Sequence, residues 1–325
     1  MKKLFLSLVA LVWAVGVEAQ QIAVVQSNGS TTVHSLLVDA IEAAKSGSVI
    51  YLPGGSFPVD DSVKITKPVT IVGIGHKWKS DNAEEYGYTT VTGNLFFNEG
   101  SDGSAVMGIY LTGNIDIAGD GKKVDNILVR WCNVNQVYIH NSTCMGTVVN
   151  QNYIRGGADF GAARGEFTNN ITAWVNNLDN GTIAYNIFIS THGHYSSGYH
   201  YCAIKFCDQC ALNHNVILDW GTSPHEGNSC TAIGNMAQNS WGDDPIDVDE
   251  GWAEIFENHA GVTPNSKYHF IGDYKQYEHK CGIYAGGGFS DTALPPIPYI
   301  VAKQIPQQTD AEGKLNIKIR VRASE

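Results

Sequence analysis

Four short segments of the chain share an asparagine that is followed by apolar residues. The segments are GTVVNQNYI, GTIAYNIFI, ALNHNVIL and CTAIGNMAQ, and they align on Asn152, Asn186, Asn215 and Asn235. The aligned asparagines are 34, 29 and 20 residues apart. A constant segment at variable intervals predicts stacked coils that are joined by loops of different length.

Asparagine and proline are distributed as stacked coils would require. Twenty asparagines lie between Asn94 and Asn239, and asparagine tolerates left-handed backbone and bonds nearby backbone groups. At a repeated turn, stacked amides are expected to form a ladder from coil to coil. No proline occurs between Pro68 and Pro224, and proline cannot donate a hydrogen bond to a ladder. Short β-type runs between Gly, Asn, Asp and Ser therefore predict an all-β chain.

The two ends of the chain differ from this central array. Residues 32–47, TVHSLLVDAIEAAKSG, have apolar groups at helical spacing and predict an amphipathic helix. Thr31 or Thr32 is its expected N-cap, and Gly47 is expected to be the left-handed residue after its end. At the other end, alternation of apolar and polar residues over 314–321 predicts a half-buried strand. This strand is expected to fold back on the stacked coils and cover their open end.

The helix, followed by GSVIYLPGGSF and ITKPVTIVGIG, resembles the opening of right-handed parallel β-helix proteins of the pectate-lyase-like superfamily. The C-terminal sequence, from PNSKYHFIG through CGIYAGGGFSDTALPPIPYIVAKQ to TDAEGKLNIKIRVRASE, resembles the end of a group of secreted bacterial β-helix proteins that largely lack an assigned function. The resemblance implies an all-β, right-handed parallel β-helix (a solenoid) with an N-terminal capping helix and a C-terminal fold-back strand. The expected segments are a signal peptide at 1–19, the N-terminal segment with the capping helix at 20–47, the β-helix at 48–288 and a Pro-containing tail with the capping strand at 289–325.

The first residues predict export. Lys2 and Lys3 precede an apolar run over 4–17, and Val17 and Ala19 place small residues at the −3 and −1 positions of a cleavage site. This pattern is typical of a secretory signal peptide. No later apolar segment approaches the roughly 20 residues that a membrane span needs. We therefore expect a soluble protein in the periplasm, at the cell surface or outside the cell, with no membrane span.

The charge of the chain argues against one class of partner. Without Lys2, Lys3 and Glu18, the chain has 19 basic and 31 acidic residues, which is a net charge of −12. Nucleic acids bind through basic patches that neutralise phosphates. A nucleic-acid partner is therefore not expected.

The seven cysteines leave three alternatives open. Cys144, Cys210 and Cys230 each precede a repeated segment, which predicts inward positions that are filled by small apolar side chains. In CAIKFC, an extended backbone would send Cys202 and Cys207 to opposite faces. Buried free thiols, a disulfide between Cys210 and Cys230, and a zinc site that uses the CxxC at 207–210 are each compatible with these positions.

The segments that follow the aligned asparagines are expected to emerge as loops on one side of the stack, at 155–167, 190–201, 219–229 and 239–252. Their aromatic, imidazole and carboxylate groups suit a polyhydroxylated ligand. The predicted ligand-binding residues are His192, His194, Tyr195, Tyr199, His200, Trp220, His225 and Trp241. The sequence thus predicts a protein that binds a polysaccharide or surface glycan through one loop-decorated face, without catalysis.

The alternative is a polysaccharide lyase or a glycoside hydrolase that uses the same face. A hydrolase needs two carboxyl groups roughly 5–5.5 Å or 6.5–9.5 Å apart, and a lyase needs a base together with a cation. Lys205 is a further cation near this face. The predicted catalytic candidates are Asp219, Glu226, Asp243, Asp244 and Arg164.

No cofactor is certain from the sequence, although calcium is a candidate. The run DDPIDVDE offers hard oxygen ligands. The predicted calcium ligands are Asp243, Asp244, Asp247 and Asp249.

Overall fold

A computed structural model describes residues 21–75, 88–189, 203–218, 225–238, 240–249, 252–259, 266–289, 299–304 and 318–322. Over these residues the chain is all-β, and most strands belong to two long sheets. Numbered along the chain, the strands of the first sheet are β1 (Ile22–Val25), β2 (Thr31–His34), β3 (Ser48–Tyr51), β5 (Val69–Val72), β7 (Ala105–Met107), β10 (Leu128–Arg130), β13 (Thr147–Asn150), β15 (Gly165–Thr168), β17 (Thr182–Ala184), β20 (Ala211–Asn213) and β23 (Thr231–Ile233).

The second sheet is formed by the segments between these strands. Its strands are β4 (Gly55–Ile65), β6 (Thr89–Phe97), β8 (Tyr110–Leu111), β9 (Ile115–Ile117), β11 (Asn133–Val134), β12 (Val137–Ile139), β14 (Tyr153–Ala163), β16 (Ile171–Leu178), β18 (Ile187–Ile189), β19 (Ile204–Lys205), β21 (Val216–Leu218), β22 (His225–Glu226), β24 (Met236–Ala237) and β25 (Ile246–Asp247). Within the long sheets the pairs are parallel, except that β1 is antiparallel to β2 and β3. The chain thus alternates between two long parallel sheets, as in a β-helix-like solenoid.

The remaining described elements lie outside the long sheets. They are α1 (Leu37–Ala43), α2 (Trp252–Ile255), β26 (Phe256–Asn258), β27 (Lys267–Phe270), a 3-10 helix (Gly272–Tyr277), β28 (Tyr299–Gln304) and β29 (Lys318–Arg322). β28 and β29 form an antiparallel pair, so the C-terminal segment contains a strand as predicted. That this strand folds back on the stacked coils stays a prediction. Neither described α-helix has the length and apolar content that crossing a membrane requires.

A ladder of buried asparagines runs through the coils, as the aligned segments predict. The side-chain amide of Asn186 donates to Oδ1 of Asn215 at 3.0 Å, and that of Asn215 donates to Oδ1 of Asn235 at 3.0 Å. Each Oδ1 also accepts the backbone N–H of the preceding rung, and each amide also donates to a buried carbonyl. These side chains are fully buried and fully bonded, so they stabilise the stack without leaving unsatisfied polar groups.

The ladder has one rung more than the sequence comparison predicted. Asn170 bridges Asn152 and Asn186, with amide bonds of 3.0 and 3.1 Å. The interval of 34 residues between Asn152 and Asn186 therefore holds two coils. Each rung follows a residue with left-handed backbone, and these residues are Gln151, Asn169, Tyr185, His214 and Gly234. Their types differ, which is why the turn itself was not visible as a motif.

The N-terminal helix is shorter than predicted. It covers Leu37–Ala43, and its N-cap is Leu36, which makes no side-chain capping bond. Residues 31–34 form β2 instead, because this segment pairs with β1 across the end of the first sheet. Val33 and Leu36, predicted on the apolar face of the helix, are 56% and 55% exposed. Thr31 and Thr32 therefore cap nothing, and strand pairing outweighs the helical spacing.

The segment after the last coil covers part of the second sheet. We call the described parts of 252–289 the cover segment. Its apolar side chains form one cluster with outward-facing residues of the sheet, and the sheet residues are Tyr153, Ile171, Ile187, Ile189, Val216, Leu218 and Met236. Nδ2 of Asn169 donates to the carbonyls of Ile283 and Ala285 at 2.9 and 2.8 Å. The cover segment is thus held by both apolar contact and buried hydrogen bonds.

Candidate functional site

No segment among the described residues covers the outer surface of the other half of the second sheet, which carries polar and aromatic groups. Parallel register aligns one outward position from each successive strand into a row. The members of this polar row are Lys64, Phe96, Asp116, Tyr138, Asp159, Asn176, Lys205 and Glu226. From Lys64 to Asp159, both chain neighbours of each row member are buried apolar residues, and Val175 and Ile204 are buried beside Asn176 and Lys205. At about 4.8 Å per strand, the row is roughly 34 Å long.

A carboxylate, a phenol and an imidazole meet in the middle of the row. Oδ1 of Asp116 lies 2.7 Å from Nε2 of His140. The hydroxyl of Tyr138 donates to Oε1 of Gln136 at 2.7 Å. Burial raises the pKa of Tyr138, and the negative charges of Asp159 and Asp116 raise it further. Tyr138 therefore stays protonated at neutral pH and can act as a hydrogen-bond donor.

Asp159 lies on the far side of Tyr138 from Asp116. Its Oδ1 accepts the backbone N–H of Gly161 at 2.9 Å and the amide of Asn177 at 3.0 Å. These bonds hold the carboxylate in one orientation. Asp116 and Asp159 lie two strands apart, which is about 9.6 Å between their backbones.

Trp174 lies beside the row because two glycines make room on β14. Register pairs Trp174 with Gly157. A Cβ atom at Gly157 would come within 2.2 Å of the indole, and one at Gly156 would come within 2.7 Å of the side chain of Gln136. Only glycine at these two positions lets the indole and the amide lie against the strand. The half-exposed indole is thus a preformed flat surface next to the row.

Two basic residues at the edges of this surface have different roles. Nζ of Lys205 lies 4.8 Å from the ring of Phe206, which is 52% exposed. Arg155 is half-buried, and it donates to Asn133 Oδ1 at 2.6 Å and to the carbonyls of Leu111 and Thr112 at 2.9 Å each. Arg155 therefore ties neighbouring strands together, whereas Lys205 is available to a ligand.

We call this surface the open face, and we define it by Asp116, Gln136, Tyr138, His140, Asp159, Trp174, Asn176, Asn177, Lys205 and Phe206. Most of it was missed at the sequence level. The signal was present in strand segments such as IDI at 115–117, VYI at 137–139 and ADF at 158–160, where one polar or aromatic residue stands between two buried apolar ones. The segments after the asparagine rungs are richer in His, Tyr and Trp, so this alternation is the less conspicuous of the two patterns.

The first predicted loop is not a loop. Residues 155–167 continue β14 and form most of β15, because the chain in this coil spans the whole width of the second sheet. Arg164, predicted as catalytic, is exposed at the turn between these strands, and its backbone N–H donates to Cys144 O. Strands β17, β20 and β23 separate it from the position of Asp243, which pairs with Ile233. The structure does not bring these two predicted catalytic residues together.

Many of the other predicted site residues cannot be placed. His192, His194, Tyr195, Tyr199, His200, Asp219 and Trp220 lie outside the described residues. For His225 and Glu226 only the backbone is described, and it pairs with Ile204 and Lys205, which brings Glu226 into the polar row. Trp241 is half-buried and packs against the main core. As ligand-binding or catalytic residues, all of these stay predictions.

The predicted calcium ligands are all exposed. Oδ1 of Asp247 accepts hydrogen bonds from the backbone and the hydroxyl of Ser240, while Asp243, Asp244 and Asp249 face solvent. Among the residues that the structure describes, no three His, Cys, Asp or Glu side chains are grouped so that they could hold a metal ion. The calcium site stays a prediction without support from this geometry.

The described cysteines are free thiols in this structure, as the first of the three alternatives predicts. Cys132, Cys144, Cys207, Cys210 and Cys281 are buried, and Cys230 is half-buried. Burial raises the pKa of Cys132, Cys210 and Cys281 to about 12 each. Sγ of Cys144 and Sγ of Cys230 accept backbone N–H groups of the preceding coil at 3.3 and 3.4 Å. These thiols therefore resemble the asparagine rungs, as acceptors that link one coil to the next.

Comparisons with known proteins add no family to this geometry. No family model, curated protein or solved structure matches the chain. Any functional inference therefore depends on the open face itself.

Proposed function

We propose that the protein binds a polysaccharide chain along the open face, without cleaving it. The observation that carries this proposal is the polar row beside Trp174. A row that crosses many strands in register is a straight, extended surface, which fits an extended polymer better than a compact ligand. This proposal keeps the predicted ligand class and moves the site from loops to the sheet.

The chemistry of the open face suits sugars. The flat faces of Trp174 and Tyr138 can pack on the apolar faces of pyranose rings. Carboxylates and amides, such as those of Asp159 and Asn177, accept and donate hydrogen bonds to vicinal hydroxyls. Because the strands are fixed by parallel pairing and by a packed core, these groups are preorganised, which limits the entropy lost on binding.

Electrostatics favours a neutral glycan. The chain has a formal net charge of −11, and Asp116 and Asp159 place negative charge at the middle of the row. A polyanion would meet repulsion over much of this surface. We therefore expect uncharged polysaccharides to bind more tightly than polyuronates or sulfated chains.

Affinity electrophoresis or calorimetry against a panel of neutral and acidic polysaccharides tests the proposal. Trp174→Ala and Tyr138→Ala are expected to weaken binding about tenfold or more, which is about 1.4 kcal/mol. Tyr51→Ala is the matched control, because Tyr51 is 42% exposed on the first sheet, away from the open face. Equal loss of binding in all three variants, or no binding by the wild type, would contradict the proposal.

A second candidate is an inverting glycoside hydrolase at the same place. Asp116 and Asp159 are about 9.6 Å apart at their backbones, close to the 6.5–9.5 Å between the carboxyl groups of inverting enzymes. Release of reducing ends by the wild type that disappears in Asp159→Asn, and persists in the exposed control Asp60→Asn, would favour the hydrolase. Binding without release would favour the non-catalytic protein.

We further infer a right-handed coil, with α1 covering its first end, and an exported protein whose leader is removed. Parallel strands joined by a crossover are right-handed in nearly all proteins, and α1 contacts β1, β2 and β4. An experimental structure tests the handedness. N-terminal sequencing of exported material, expected to begin near Gln20, tests the leader.

A further inference from the structure

Three thiols lie together in the last coils, at Cys207, Cys210 and Cys230. Cys210 and Cys230 directly precede β20 and β23, whose register aligns the next residues, Ala211 and Thr231. The N–H of Thr231 donates to the carbonyl of Cys210 at 3.0 Å. Neighbouring backbones in such a pair are about 4.8 Å apart, within the 4.4–6.8 Å over which Cα atoms can be bridged by a disulfide.

The sulfur of Cys230 already lies beside the backbone of Cys210. It accepts the N–H of Cys210 at 3.4 Å and donates to the carbonyl of Cys207 at 2.9 Å. Sγ of Cys210 donates to the carbonyl of Leu178 at 3.1 Å. A rotation about the Cα–Cβ bond of Cys210 would exchange this weak hydrogen bond for contact with Cys230.

Cys230 differs from the other described thiols, including its partner Cys210, in its access to solvent. Cys230 is half-buried, whereas Cys132, Cys144 and Cys281 are buried. An open groove of about 360 Å³ adjoins the pair. Its lining includes Gly165, Gly181, Gln209, Cys210, Ser229 and Thr231. The groove is lined by Cys210 and by both chain neighbours of Cys230, and Cys230 itself is half-buried, so a small oxidant can approach the sulfur of Cys230.

We propose that Cys210 and Cys230 form a reversible dithiol–disulfide pair that links two neighbouring coils, with a small-molecule disulfide as the oxidant. Cys230 loses its proton to water, and its thiolate attacks the small disulfide, which releases one small thiolate and leaves a mixed disulfide. Cys210 passes its proton to the released small thiolate, and its sulfur then attacks the sulfur of Cys230 and expels the second small thiolate, which takes up the proton that Cys230 lost. Two protein thiols are oxidised, one small disulfide is reduced to two thiols, and a reducing thiol reverses both steps.

Incubation of the folded wild-type protein with oxidised glutathione tests the proposal. The intact mass should fall by about 2 Da, the loss of two hydrogens, and peptide mapping without reduction should join the peptides of Cys210 and Cys230. Dithiothreitol should restore the mass. Circular dichroism during the incubation verifies that the chain stays folded.

Variants distinguish this pair from the neighbouring CxxC. Cys230→Ser and Cys230→Ala should not lose the two hydrogens, whereas Cys207→Ser should lose them as the wild type does. Peptide mapping of the wild type keeps the test decisive if a variant fails to fold. A bond between Cys207 and Cys210, a stable mixed disulfide at Cys230, or an unchanged mass would each overturn the proposal.

Discussion

The two halves of the second sheet share strands β14 and β16 and have the same core behind them, yet their outer surfaces are opposite in character. In one half, the outward positions are apolar and lie under the cover segment, as at Ile187 and Val216. In the other half, the outward positions are polar or aromatic and form the open face, as at Tyr138 and Asp159. The inward side chains of both halves belong to a continuous packed interior. The strands and the core therefore do not decide which half of the sheet is covered. The outward-facing residue of each strand decides it.

The comparison separates a structural use of the sheet from a functional one. Apolar outward residues are satisfied by burial, which is roughly proportional to the area removed from water. Polar outward residues gain little from burial and would lose their hydration. The half that is left open is thus the half that can exchange water for a ligand.

The largest expected effect comes from exchanging residue types between the halves. Ile187→Asn should lower the free energy of unfolding by about 4 kcal/mol, because it leaves a cavity and an unsatisfied amide under the cover segment. Asn176→Ile, the reverse change on the open face, should alter it by less than about 0.5 kcal/mol. Urea unfolding of both variants measures the difference. Similar losses in the two variants would show that the halves are equally buried.

The second-largest loss of stability is expected from a change within the cover segment itself. Phe256 is 1% exposed and packs 4.9 Å from Phe270 and 5.2 Å from Tyr268 between ring centres. Phe256→Ala should destabilise the protein by about 3 kcal/mol and should increase binding of an apolar dye. Phe206→Ala on the open face is the control and should be nearly neutral. A neutral Phe256→Ala would mean that the cover segment does not seal this half.

Cys281 should make the covered half sensitive to alkali. Burial raises the pKa of Cys281, in the cover segment, from 9.0 to about 12. Between these pH values the unfolded chain loses the proton while the folded chain keeps it, so the free energy of unfolding falls as the pH rises. Between about pH 8 and about pH 11, the free energy of unfolding should fall by about 2 kcal/mol less in Cys281→Ala than in the wild type. Equal losses in denaturant titrations would contradict this.

The smallest effect is expected within the open face. Tyr138→Phe removes one half-exposed hydrogen bond to Gln136, so it should lower the free energy of unfolding by less than about 1 kcal/mol. If the open face binds glycan, the same variant should still weaken binding, because the lost hydroxyl is a donor. A large loss of stability measured by urea unfolding would instead make Tyr138 a structural residue.

Much of the scaffold was predictable from the sequence. The asparagine rungs at 152, 186, 215 and 235, the inward cysteines and the all-β class follow from local patterns. Asn170 was missed because variable intervals are expected between the rungs, so the 34 residues from Asn152 to Asn186 did not by themselves indicate two coils. The helix was overestimated because Val33 and Leu36 fit a helical face, while β1 offers 31–34 a strand partner that no local pattern reveals.

Local patterns are enough to show that the chain coils, since buried amides must stack and proline must be absent from the ladder. They also show which residues of each strand face outward, because alternation is a local property. Only the tertiary structure decided which of these outward residues become neighbours and which are covered. That depends on the register between strands far apart in the chain and on the return of 252–289 across one half of the sheet. Asp116, Tyr138 and Asp159 form one surface because parallel pairing aligns three strands that are separated along the chain.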